Sequence, residues 1–147
     1  MNFWDASALV PLCLKEPRTA EARALWETRS PVVAWCLSRT EVLSALCRLQ
    51  RDGAIDEARL VAARERRDQL FDAIHIVREL NDTMRLADRL LLVHTLRAAD
   101  ALQLAAALLA VDGNPDGQGF VTFDGRLASA ARKEGFRTFG DDAVQTK

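Results

Sequence analysis

Ala98-Ala99-Asp100-Ala101-Leu102-Gln103-Leu104-Ala105-Ala106-Ala107-Leu108-Leu109-Ala110-Val111 is apolar on nearly every face. As a helix, such a stretch belongs inside a fold. Asp100 is the one charged residue between Arg97 and Asp112. Taking a carboxylate out of water without a partner costs several kcal/mol. A basic side chain, backbone donors or a metal ion has to compensate.

Working outward, Thr95 is placed to cap this helix, and Asn81 or Asp82 to cap a helix ending near His94. The run Asp112-Gly113-Asn114-Pro115-Asp116-Gly117-Gln118-Gly119 is a loop. Phe120–Phe123 reads as a strand, Asp124 starts another helix, and Phe136–Phe139 forms a last strand. Toward the N-terminus, residues 2–6 and 31–35 read as strands, and 75–78 as a third. Helices are predicted from Ser7 to Lys15, over 18–28, from Ser38 to Gly53 and over 54–72. Strands alternating with helices predict an α/β fold with a mainly parallel sheet flanked by helices. A single domain is expected over 1–147, since no repeat or linker interrupts the chain.

The formal net charge of −1 provides no global basic field for nucleic acid. An RNA partner would be gripped by a local patch or through metal ions. Cys13, Cys36 and Cys47 form no C-x-x-C pair, and with only His75 and His94 beside them they do not make a zinc site. Buried free thiols, no leader-like run before Asp5 and no apolar run of membrane-spanning length predict a cytoplasmic protein without membrane attachment.

Asp5 and Asp124 each stand where a short apolar strand hands over to a helix. Ligands of open parallel sheets bind at such strand ends. Glu41 lies in the first turn of the helix after the second strand, and Asp100 in an early turn of the buried helix. Four carboxylates gathered at one end of a sheet repel unless a hard cation such as Mg²⁺ or Mn²⁺ neutralises them. The chemistry such clusters serve is metal-assisted phosphodiester hydrolysis. Ser7 and Thr122, each two residues from an acid, are placed to hold a carboxylate or a coordinated water.

Each acid also has a plain structural reading. Ser38-Arg39-Thr40-Glu41 fits a capping box, Asp5 and Asp124 fit helix caps, and Arg97 is one turn from Asp100. The hydroxyls of Ser7 and Thr122 suit turns.

These residues carry a resemblance. Phe3-Trp4-Asp5-Ala6-Ser7-Ala8-Leu9-Val10 resembles the opening strand and helix of PIN-domain ribonucleases, especially VapC toxins of toxin–antitoxin pairs. Ser38-Arg39-Thr40-Glu41-Val42 resembles their second acidic motif, Leu96–Ala105 their third, and Phe120-Val121-Thr122-Phe123-Asp124-Gly125-Arg126-Leu127 their fourth. Order and spacing agree across essentially the whole chain. The resemblance implies a Mg²⁺- or Mn²⁺-dependent endoribonuclease whose acidic quartet is Asp5, Glu41, Asp100 and Asp124. It also implies a homodimer and a cognate antitoxin that inhibits. Gln103 departs from the His that relatives often carry there.

Arg97 and Arg126 neighbour acidic motifs and are candidate RNA contacts. Arg59, Arg64, Arg66 and Arg67 alternate with Asp56, Glu57, Glu65 and Asp68, as on a solvated helix face. Trp4 and Trp35 sit in apolar strands and read as core; His94 near a helix end complements its dipole. Two other functions compete: a phosphoryl-accepting protein with Asp5 as nucleophile, and a non-catalytic partner-binding module. The first wants a lysine at the phosphate, yet Lys15, Lys133 and Lys147 all lie away from strand ends. The intact quartet speaks against the second.

Overall fold

The computed structural model describes residues 1–141. Strands β1 (Asn2–Trp4), β2 (Val32–Trp35), β3 (His75–Val77), β4 (Gly119–Val121) and β5 (Arg137–Phe139) pair in the order β3-β2-β1-β4-β5. Every neighbouring pair is parallel. The helices are α1 (Ala6–Cys13), α2 (Thr19–Thr28), α3 (Ser38–Arg51), α4 (Glu57–Asp72), α5 (Leu80–Val93), α6 (Ala98–Ala110) and α7 (Gly125–Glu134). The expected α/β class is the observed one.

The alternation of side chains along each strand divides the core into two layers. Phe3, Trp35, Val77 and Phe120 face one way and pack with buried residues of α5, α6 and α7. Trp4, Val32, Ala34 and Val121 face the other and pack with α1, α3 and α4. Phe3 stacks on Phe120, its partner in register, with ring centroids 5.3 Å apart. Gly119 starts β4, where a Cβ would meet the side-chain amide of Asn2 and force it to move.

The chain leaves β1 for β2 and β3 on one side, then returns through α5 and α6 to β4 on the other. The reversal opens a crevice at the carboxyl ends of β1 and β4, where open α/β sheets bind ligands. Trp4 and Trp35 are fully buried, as expected. No single helix among the described residues is long and apolar enough to cross a membrane.

Several local expectations change. The N-cap of α6 is Arg97, not Thr95, and that of α5 is Glu79, not Asn81 or Asp82. Neither cap uses its side chain, so tertiary packing rather than capping sets where these helices start. His94 does more than complement a dipole: its Nε2 lies 2.6 Å from Glu134 Oε1, and Arg89 Nη2 donates to Glu134 Oε2 at 2.9 Å. That cluster ties the end of α5 to the end of α7. Arg67 is buried, not solvated, and donates to the Arg39 carbonyl and to Asp68.

Leu104 is completely buried in the layer that α6 fills beneath the sheet. Leu104→Ala is expected to cost about 2–5 kcal/mol, because this close-packed layer cannot collapse onto the space left. Urea denaturation at constant m-value measures it.

Candidate active site

Asp5 follows β1 directly and caps α1. Its Oδ2 accepts from the Ser7 backbone N–H at 3.2 Å and its Oδ1 from the Ser7 hydroxyl at 2.8 Å. The Asp5 N–H donates to the Val121 carbonyl at 3.1 Å, so the ends of β1 and β4 are fixed together. Ser7 Oγ also accepts from the Phe123 N–H at 2.9 Å and lies 3.2 Å from Thr122 Oγ1. Thr122 Oγ1 in turn accepts from the Asp124 N–H at 3.0 Å. The two hydroxyls therefore join the first and fourth acidic motifs into one hydrogen-bonded unit.

Asp124 caps α7 as the local sequence predicts, accepting from the Arg126 and Leu127 N–H groups at 2.9 and 3.0 Å. Both bonds fall on Oδ1, which leaves Oδ2 outside the cap. Asp100 occupies the first turn of α6, where the Arg97 backbone N–H favours its charged form. The expected Arg97–Asp100 ion pair is not formed; Arg97 acts on Asp100 only at longer range. Asp100 and Asp124 both line an open cleft of about 740 Å³, together with Arg97, Phe123 and Arg126.

Glu41 enters from α3. The capping box expected from Ser38 to Glu41 does not form: α3 begins after Leu37 and has no side-chain cap. A residue 62 positions away intervenes instead. Gln103 Nε2 donates to Glu41 Oε1 at 3.0 Å, while Ser38 Oγ donates to Gln103 Oε1 at 3.0 Å. Ser38 and Gln103 are both buried. Gln103 is thus the contributor that the motifs alone miss. Its signal was in the sequence, as the only uncharged polar residue in Ala101–Val111.

The electrostatics follow from this geometry. Burial pushes the Asp5 carboxyl from its ordinary 3.8 up to about 6, against the hydrogen bonds of Ser7 and Thr122, and Asp124 pushes the same way. Burial likewise raises Glu41 to about 7; the Gln103 bond opposes this, while Asp5 and Asp100 add to it. Asp100 is raised by burial and then by Asp124, against the pull of Arg97 and Arg126. Asp124 thus acts on Asp5 and on Asp100, and Asp5 and Asp100 act on Glu41, which links the four acids electrostatically. None of the four forms a salt bridge with a described residue.

Among the described residues, no three His, Cys, Asp or Glu side chains form a ready-made metal cage. The donor set is nonetheless all oxygen, and none of its carboxylates is neutralised by a salt bridge with a described residue. That suits a hard cation held by one or two carboxylates and water, as Mg²⁺ is commonly held, rather than a closed protein cage.

The PIN domain family matches residues 3–133. The chain belongs to the PIN-domain family. Ribonuclease VapC47 of Mycobacterium tuberculosis is 31% identical over 149 residues, covering 99% of this chain and all of that protein. Ribonuclease VapC45 of the same organism is 32% identical over 135 residues, 92% of each chain. These full-length likenesses place the chain with the VapC ribonucleases of the family. The crystal structure of M. tuberculosis VapC20, a sarcin-ricin loop cleaving toxin, superimposes with a TM-score of 0.62 at 22% identity. It covers 88% of this chain and 95% of that one, and shares the fold.

Two predictions follow from the electrostatics and the Gln103 bridge. An acid whose folded pKa is raised contributes stability below its unfolded pKa and loses it as pH rises through the folded one. Metal-free protein should therefore lose stability between about pH 4 and 7, from the ordinary carboxylate values up to the raised values of Asp5 and Glu41, with Asp5 contributing on the order of 3 kcal/mol for its shift to about 6. Asp5→Asn, which keeps the cap, should flatten that slope in denaturant titrations across pH. Gln103→Leu strands the Ser38 hydroxyl and should cost about 1–3 kcal/mol; the double variant with Ser38→Ala should recover part of it.

Proposed function

We propose that this PIN-domain protein is a Mg²⁺- or Mn²⁺-dependent endoribonuclease toxin, with Asp5, Glu41, Asp100 and Asp124 as its acidic quartet. The observation that supports the reading is the grouping of four carboxylates, none in a salt bridge with a described residue, near the topological switch point of the sheet. A structural role would have drawn a basic residue into this space, as Asp68 draws Arg39 and Arg67. The whole sequence, 1–147, is proposed to serve as one such domain.

When bound, a divalent cation supplies charge neutralisation, polarisation of the phosphodiester and activation of a water. Asp124, with one oxygen outside its cap, and Asp100 in the same cleft are the residues best placed to hold it. Ser7 keeps the Asp5 carboxylate fixed in orientation, and Thr122 holds the Asp124 backbone in step with it. Gln103 presents Glu41 with one oxygen engaged, leaving the other for a water or the cation. Arg97 and Arg126 line the same cleft and counter the negative charge of an approaching phosphate. The chain is further proposed to act in the cytoplasm as a homodimer held inactive by a cognate antitoxin, as the VapC likeness implies.

Purified protein free of antitoxin should cut cellular RNA into discrete fragments with Mg²⁺ or Mn²⁺ and not with EDTA. Asp100→Asn should abolish cleavage. It should also leave metal-free stability unchanged or raised, because it removes a repelling charge, while cancelling the metal-induced rise in Tm. Cleavage that persists in this variant defeats the role given to Asp100. A large loss of metal-free stability would make Asp100 structural. Neither cleavage nor metal uptake by folded protein would favour a non-catalytic binding module.

A further inference from the structure

The cleft does not end at Arg126. A second cavity of about 350 Å³ shares Gly125 and Arg126 with it and runs on along α7, walled by His94 and Thr95 on one side and Ser129 and Lys133 on the other. Arg126, Ser129, Ala130 and Lys133 are spaced i, i+3, i+4, i+7, so one stripe of α7 lines this groove. The stripe starts beside Asp124 with one cation and ends with another. Seven residues at about 1.5 Å each place them about 10 Å apart along the axis.

Charge neighbours favour an anion here. Among the described residues, no acid lines this groove. Glu134, next to Lys133, is held by Arg89 at 2.9 Å and His94 at 2.6 Å, which removes its charge from the groove's balance. Arg126 and Lys133 are exposed and form no salt bridge with a described residue. Ser129 and Thr95 add hydroxyl donors between the two cations.

We propose that this groove is a backbone subsite for single-stranded RNA, in which Lys133 and Ser129 bind a phosphate flanking the one held at the acidic cleft. The proposal rests on the ribonuclease reading, but its test is independent of cleavage. Phosphate contacts by lysine give affinity without sequence preference and carry a salt dependence.

The experiment measures fluorescence anisotropy of a labelled single-stranded RNA of about twelve nucleotides, in EDTA, between about 50 and 200 mM salt. Lys133→Ala should weaken binding about five-fold at the lower salt and reduce the log K against log salt slope by about 0.7, one contact on a single strand. Lys133→Glu should weaken it further. Arg64→Ala, on the exposed face of α4, should change neither. Both Lys133 variants alter an exposed side chain, and circular dichroism melting checks that they fold.

Unchanged affinity and slope in Lys133→Ala overturn the groove, as would wild-type protein that fails to bind the RNA with any salt dependence. The same preparations are assayed for metal-dependent cleavage. Cleavage with an indifferent Lys133 rejects the groove and keeps the nuclease. A Lys133 effect on binding without cleavage keeps the groove and rejects the nuclease.

Discussion

Everything around the candidate site answers to one constraint: carboxylates drawn partly or wholly out of water with no salt bridge to a described residue. The fold's answer is to aim helix starts at them. Asp5 caps α1 and Asp124 caps α7. Glu41 and Asp100 stand in the first turns of α3 and α6. A helix N-terminus carries roughly half a positive charge and free N–H groups, so each acid meets a partial compensation of about 0.3–1 kcal/mol. That falls short of the cost of burial, which is why Asp5, Glu41 and Asp100 all remain harder to ionise than free carboxylates. The remaining imbalance is the physical opening for a cation. A parallel sheet with a reversal between β1 and β4 produces the arrangement naturally, because each crossover helix begins near a strand's carboxyl end.

Much of this was legible in the chain. Asp100 inside an apolar run announces both a buried helix and a charge that needs an explanation. Strand-to-helix handovers at Asp5 and Asp124 place those acids at the carboxyl end of a parallel sheet without knowledge of the strand order. The order itself was beyond local reading, since it depends on which faces of seven helices find which layer. Helix starts were misplaced for a related reason. Thr95 and Asn81 are good caps by composition, yet α6 and α5 begin where packing fixes their backbones.

The capping box at Ser38 is the more instructive failure. Its local grammar is sound, but both side chains bond to Gln103, 62 and 65 residues away. In a buried setting, a partner that satisfies two groups at once beats a cap that leaves a distant amide stranded. Arg67 and His94 fail likewise: interleaved charges read as solvent-facing until tertiary structure supplies the Arg39 carbonyl and Glu134. Long-range partners of polar residues leave no periodic trace, whereas apolar faces do.

The near-zero net charge also finds its place. An enzyme acting on RNA has to attract a polyanion to a site that is itself anionic. Spreading positive charge over the whole surface would raise affinity for every nucleic acid and pull the cleft acids toward ionisation regardless of metal. Placing Arg97, Arg126 and Lys133 beside the cleft, within a chain whose charges otherwise nearly balance, separates the two tasks. Positive charge along α7 lies beside the acids rather than among them, so it draws in the strand without forming salt bridges that would displace a cation from the carboxylates. Had a lysine stood where Gln103 does, it would have paired with Glu41 and removed the charge that makes the site useful. A neutral amide orients the carboxylate and leaves its charge in place.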